Sequence, residues 1–281
     1  MESNNRSEYT IKTTKKALTR LAKFTSLNEP EAVKLFIAKL KAKDGYKKAL
    51  CLAYNKYAKY YKIDWKMPIY LQEEQNIALP TGEKLLMLIA NASKLLSLKL
   101  SISMETGLRP VELCRLKTKD IDLDHKTVNP LTAKRGNART LPISTQLTVN
   151  IQTHIIKNSL NPQDNLFDMK AENYSKAYRQ MRNNLAKKLN DPTIHSIRLY
   201  DFRHYFCTKK LYDLNNPYTV MVLMGHKKLT TTQKYMHMIN LENDEWECSG
   251  ATTKEEAIKL IEAGFQYVTT IEGIQLFKKR K

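Results

Sequence analysis

Near the start of the chain, apolar residues recur at three- and four-residue intervals. Leu18, Leu21 and Phe24, then Ala32, Leu35, Phe36 and Leu40, keep the period of helices that bury one stripe. Between the two runs, Asn28-Glu29-Pro30 predicts a helix start, because proline suits the first turn, where its missing N–H costs no bond. Gly45 is expected to break the next segment. From Lys47 to Lys62 basic residues interleave with Tyr54, Tyr57, Tyr60 and Tyr61. Four tyrosines within eight helical residues cannot all face one core, so some must line an outer surface. Residues 10–66 therefore read as a helical bundle.

A linker is expected over residues 67–82, opened by Met67-Pro68 and closed by Leu79-Pro80-Thr81-Gly82, with Thr81 as N-cap of the helix that follows. Leu85, Leu86, Leu88 and Ile89, then Leu95 through Met104, continue the helical pattern. The period then changes. Asp120 to Leu123 and Thr127-Val128 read as strands around a turn at Asp124-His125. Lys134-Arg135-Gly136-Asn137 is a turn signature, and Arg139 to Ile143 would be the returning strand. Helices resume at Gln146, across Tyr174 to Leu189, and from Asp201 to Leu211. The last segment has a strand-like start near Trp246, a helix over Lys254 to Ala263, a stop at Gly264, and two strands joined at Ile271-Glu272-Gly273. The boundaries expected are 1–79, 80–240 and 241–281.

Charge narrows the choice of partner. Lys and Arg number 47 against 28 Asp and Glu, a net of +19. Such an excess points to a polyanion, since lysines and arginines that neutralise phosphates release condensed counterions. Residues 1–79 hold 16 basic and 8 acidic side chains, and a basic helical bundle could lay one face along a DNA duplex. From Leu241 onward eight acidic residues face six basic ones, which suits protein contact better than DNA clamping. Cys51, Cys114, Cys207 and Cys248 are far apart and form no C-x-x-C pair, so neither a disulfide frame nor a zinc site is expected. No apolar run is long enough to span a membrane, and the polar N-terminus is no secretory signal. A soluble, cytoplasmic and DNA-associated protein is expected.

Chemistry is concentrated in three blocks. Thr106-Gly107-Leu108-Arg109-Pro110-Val111-Glu112-Leu113 puts Arg109 before a proline, at an expected helix N-terminus where an anion is favoured. Tyr200-Asp201-Phe202-Arg203-His204 supplies a second guanidinium fork suited to phosphate oxygens. Leu223-Met224-Gly225-His226 precedes Tyr235 by nine residues, with Thr230 to Gln233 expected to begin the helix that carries the tyrosine. In this order and spacing the blocks resemble those of the tyrosine recombinase (phage integrase) family, from about residue 10 to 240, the N-terminal part only in general character.

The resemblance implies a mainly α, two-domain protein: a helical core-binding bundle, then a mixed α+β catalytic domain with a small antiparallel sheet and a short α/β C-terminal tail. It implies that Tyr235 attacks a DNA phosphate to give a 3′-phosphotyrosine and a free 5′ hydroxyl, without ATP, metal or other cofactor. Arg109, Arg203 and His226 would stabilise the pentavalent phosphate, and Lys134, on the hairpin turn, would protonate the departing oxygen. Arg135 is the neighbouring alternative if the alignment shifts by one. Position 200 departs from the family's usual His or Lys. A phenol, ordinarily with a pKa near 10, is a poor base at neutral pH, though Tyr200 could still donate a hydrogen bond to the phosphate; either Tyr200 plays a reduced role, or base work falls to His204, His195 or water. His237 is expected to support packing. Double-stranded DNA is the implied partner, with a homotetramer on paired sites, a monomer when free, and the tail as a protomer contact. The rival readings are a type IB topoisomerase or hairpin resolvase, and a DNA-binding relic without catalysis.

Overall fold

The computed structural model describes residues 8–71, 79–133, 136–236 and 246–280. The chain divides into two compact units, Met1–Asn76 and Ile77–Lys281.

In the first unit, α1 (Glu8–Phe24), α2 (Pro30–Lys39) and α3 (Asp44–Tyr61) pack around Leu21, Val33, Ile37, Leu50, Cys51, Tyr54 and Ala58. Pro30 occupies the first helical position of α2, as its sequence predicts. Gly45 breaks nothing. It sits in the first turn of α3, where N–H groups lack intrahelical partners in any case and glycine costs little. The tyrosines divide by helical phase. Tyr54 is buried and donates its hydroxyl to the Leu27 carbonyl at 2.8 Å, whereas Tyr60 and Tyr61 are exposed. A buried phenol needs such a partner, so this bond ties α3 to the α1–α2 loop.

The second unit begins with α4 (Gly82–Ala90), whose N-cap Thr81 accepts from the Lys84 N–H. It continues through α5 (Lys94–Thr106) and the single-turn α6 (Pro110–Leu113). Three two-residue strands, β1 (Ile121–Asp122), β2 (Thr127–Val128) and β3 (Leu141–Pro142), form an antiparallel sheet in the order β1-β2-β3. The returning strand is thus far shorter than Arg139 to Ile143. Then come α7 (Thr145–Lys157), α8 (Ala171–Lys188), α9 (Asp201–Leu214), α10 (Pro217–Met224) and α11 (Leu229–Gln233). Helix α9 lies between α5 and α10 and buries Phe202, Phe206, Cys207 and Leu211. It carries Arg203 and His204.

The tail forms β4 (Trp246–Ala251), α12 (Lys254–Glu262), β5 (Gln266–Ile271) and β6 (Ile274–Arg280), with strand order β4-β6-β5. Thr253 and Glu256 cap α12 reciprocally, and Gly264, at φ +85°, ends the segment that follows it. Among the described residues no helix is long and apolar enough to cross a membrane.

Candidate active site

Arg109 is the N-cap of α6, with Pro110 at the first helical position. Three residues on, Glu112 is fully buried and accepts four hydrogen bonds. The Arg109 backbone N–H donates to Oε2 at 3.0 Å and Arg109 Nη1 to Oε1 at 2.8 Å. The Ala133 N–H donates to Oε1 at 3.0 Å and Arg139 Nη2 to Oε2 at 2.8 Å. Burial alone would raise the Glu112 pKa, but the Arg139 charge and these donors outweigh it and hold it at about 2. One carboxylate therefore orients Arg109 and anchors the foot of the hairpin turn. Lys134 and Arg135 lie outside the described residues; of the residues flanking them, the Gly136 N–H donates to the Ala133 carbonyl at 3.1 Å. Asn137 Nδ2, just beyond, donates to the His226 carbonyl at 3.4 Å.

Arg203 is 1% exposed, and its guanidinium is lodged between the C-terminal ends of two helices. Nη1 donates to the carbonyl of Gly107, the C-cap of α5, and Nη2 donates to the carbonyl of Met224, the last residue of α10, at 2.8 Å. Helix C-termini present partial negative charge, which suits a cation. Gly107 must be glycine here. Its φ is +61°, and a Cβ would stand 2.4 Å from Phe206 Cδ1. Among the described residues no carboxylate pairs with Arg203. Burial, then the neighbouring charges of Arg109 and Arg139, lower its pKa, with Tyr200 and Glu112 opposing.

His226 follows Gly225, the left-handed C-cap of α10. Its Nε2 lies 3.2 Å from Arg203 Nη2, and its Nδ1 lies 2.9 Å from Thr232 Oγ1. Arginine only donates, so Nε2 accepts and Nδ1 carries the proton of the neutral ring. Burial, then the charges of Arg203, Arg109 and Arg139, lower the His226 pKa to about 4. Tyr235 lies just beyond α11 rather than on it, because the helix ends at Gln233. Its ring is stacked 6.4 Å from that of His226, and its hydroxyl lies 3.0 Å from His204 Nδ1. Burial raises its pKa, with Cys207 and Tyr200 adding to the rise and Arg203 and Arg109 opposing it.

Arg109, Arg203, His226 and Tyr235 are thus gathered into one electrostatically coupled group. Tyr200 caps α9 at its N-terminus, partly exposed, with its ring edge-on to His204 at 5.0 Å. His195 is on the surface with its Nδ1 3.1 Å from Asn183 Oδ1, and His237 lies outside the described residues. Sequence reasoning missed Glu112, Arg139 and Thr232. For Glu112 a signal existed: an acid three residues after a helix-opening residue is half of a capping box.

The phage integrase family model matches residues 81–242, more than half of the chain. The protein belongs to that family, the tyrosine recombinases. The tyrosine recombinase XerA of Saccharolobus solfataricus is 28% identical over 205 residues, covering 72% of this chain and 67% of that one. A tyrosine recombinase of Pseudothermotoga lettingae is 28% identical over 151 residues, or 52% of this chain and 50% of its own length. The chain thus spans from about half to two thirds of these two relatives. Among solved structures, the Tn1549 transposon integrase in complex with transposon right end DNA covers 92% of this chain and 95% of its own at TM-score 0.66 and 16% identity. A lambda integrase dimer bound to a COC' core site covers 88% and 93% at TM-score 0.65 and 13% identity. At such identities the likeness is one of fold.

Proposed function

We propose that this protein is a site-specific DNA recombinase that cleaves and rejoins duplex DNA through a 3′-phosphotyrosine on Tyr235. The observation that carries the reading is Arg203. A buried guanidinium held by carbonyls, with no carboxylate partner among the described residues, beside a second arginine, a histidine and a phenol, suits a phosphate. Tyr235 Oη bonds to phosphorus, the bond to the 5′ oxygen breaks, and that oxygen takes a proton from Lys134. Arg109 and Arg203 neutralise the charge that grows on the non-bridging oxygens, and His226, whose Nε2 accepts from Arg203, stabilises the same phosphate by holding that fork in place. Rejoining runs the step backwards with a 5′ hydroxyl from a partner strand, and the bond energy conserved in the adduct drives it.

Tyr235 sits among His204 and His226 of its own chain, which supports cleavage by the protomer that holds the phosphate. The basic first unit, with Tyr60 and Tyr61 exposed on α3, suits the duplex flanking the cut. A homotetramer on paired sites, assembled from monomers through the tail after residue 240, completes the reading. Deleting that tail should abolish synapsis on paired sites while leaving single-site binding.

Covalent capture tests the chemistry. Wild type and Tyr235→Phe are incubated with fragments from the encoding locus, denatured in SDS, and the protein-linked DNA is sequenced. Enrichment by wild type alone is expected. Equal recovery by both would mean another nucleophile, and relaxation of any supercoiled plasmid without site preference would favour the topoisomerase reading.

A further inference from the structure

A phenol does not attack phosphorus usefully until something takes its proton. Tyr235 is 7% exposed and its pKa is raised, so its phenolate is scarce at neutral pH. The groups around its hydroxyl can be sorted by whether they accept. Arg109 and Arg203 only donate. Both ring nitrogens of His226 are engaged, one by Arg203 and one by Thr232. The Cys207 thiol is buried, with its pKa pushed up to about 12, and stays protonated. His204 is different. Its Nδ1 faces Tyr235 Oη at 3.0 Å, inside hydrogen-bond reach, with the ring almost wholly enclosed.

The ring's protonation state suits that geometry. Burial lowers the His204 pKa, Asp201 opposes, and Arg198 and Arg203 lower it further, so the imidazole is neutral at physiological pH. Of the helices packed on α9, α10 carries no charged side chain. The ionisable residues of α5 are occupied elsewhere or exposed. Lys99 is enclosed by Phe167 and Tyr174, Glu105 accepts from Ser144, and Lys94 is exposed. Tyr200 lies against the ring edge. With Tyr235 donating its O–H, the Nδ1 lone pair is the acceptor. The backbone N–H groups of Arg203 and His204 both donate to the Tyr200 carbonyl, at 3.1 and 3.2 Å. The first turn of α9 thus fixes the phosphate fork and the acceptor together.

We propose that His204 is the general base, its Nδ1 accepting the Tyr235 proton as Oη bonds to phosphorus, in place of the residue at position 200. The O–H bond breaks to Nδ1, the Oη–P bond forms, and the P–O5′ bond breaks with its proton supplied by the general acid. The imidazolium is steadied by Asp201, and it returns the proton to Oη when a 5′ hydroxyl displaces the tyrosine. The assignment rests on the reading of Tyr235 as nucleophile.

The test uses the full chain and the site found by covalent capture, made with either a normal scissile phosphate or a 5′-bridging sulfur whose thiolate leaves without an acid. His204→Ala should cleave the normal site 100-fold or more slowly than wild type, in the range of a lost general base. Lys134→Ala should recover on the sulfur substrate and His204→Ala should not. Wild type should hold a level rate from pH 7 to 9, whereas His204→Ala should climb about tenfold per pH unit as hydroxide replaces the base. His204→Asn keeps a hydrogen-bonding atom near Nδ1 without its basicity, and should be as slow as the alanine variant while binding the site normally. Asparagine at the wild-type rate, or alanine within a few-fold and with an unchanged pH profile, would overturn the proposal. An adduct formed by Tyr235→Phe would instead overturn the reading beneath it.

Discussion

Replacing Glu112 by Gln keeps the shape of the side chain and removes one charge from beneath the phosphate site. The carboxylate is fully buried, and so is the Arg139 guanidinium it pairs with, whose Nε and Nη1 have no other partner among the described residues. Two routes give the size of the effect. Glu112 is held at about 2 against an ordinary 4.5, and at about 1.4 kcal/mol per unit the ionised form contributes roughly 3 kcal/mol. This contribution is present above pH 4.5 and is lost as pH falls towards 2. Breaking a buried ion pair from one side costs about 3–5 kcal/mol by comparison with other proteins. Urea unfolding at pH 7, followed by far-UV circular dichroism, should show Glu112→Gln destabilised by about 3 kcal/mol with an unchanged denaturant slope. Pairing it with Arg139→Gln should restore at least about 1 kcal/mol of that loss, because the stranded cation is gone. Covalent adduct formation should fall in the single variant even where it is folded, since Arg109 loses its brace. A loss under about 1 kcal/mol, within the range of ordinary surface substitutions, would refute the reasoning.

Other substitutions probe separate parts of the fold. Gly107→Ala puts a Cβ into Phe206 at positive φ and disturbs the carbonyl that holds Arg203; it should cost about 2–4 kcal/mol in the same unfolding assay and abolish adduct formation. The lowered His226 pKa means that the unfolded chain binds a proton first as pH falls. Stability should therefore drop between pH 6.5 and 4 by up to about 3 kcal/mol, and His226→Gln should flatten that part of the profile. Tyr54→Phe removes the bond to the Leu27 carbonyl and should destabilise the first unit by about 1 kcal/mol, read by thermal melting, with site cleavage on pre-bound DNA little changed.

What could be read from the chain was whatever short-range spacing encodes. Pro30 marked the start of α2, Arg109-Pro110 placed an arginine at a helix N-terminus, and Thr81 capped α4, each within four residues of what it controls. The crowding of four tyrosines on α3 likewise required that some face outward, without saying which; Tyr60 and Tyr61 do. Partners far apart in sequence were not legible. Glu112 meets Arg139 across 27 residues and His204 meets Tyr235 across 31, and nothing local announces either pairing. Tyr235 falls past the end of α11 for a local reason that propensity could have suggested: Thr230, Thr231 and Thr232 are poor helix formers, and Thr232 turns its hydroxyl towards His226.

The lodging of Arg203 between two helix ends has a consequence for how this protein behaves on the bench. A cation kept in the interior with no carboxylate partner among the described residues makes the DNA-free fold the less stable form, and any tetrahedral oxyanion that reaches it acts as a folding ligand. Sulfate or phosphate in the storage buffer should raise the melting temperature more than chloride of equal ionic strength. A laboratory selection for heat resistance would tend to discard the charge at position 203, and would yield a sturdier protein that no longer cuts DNA.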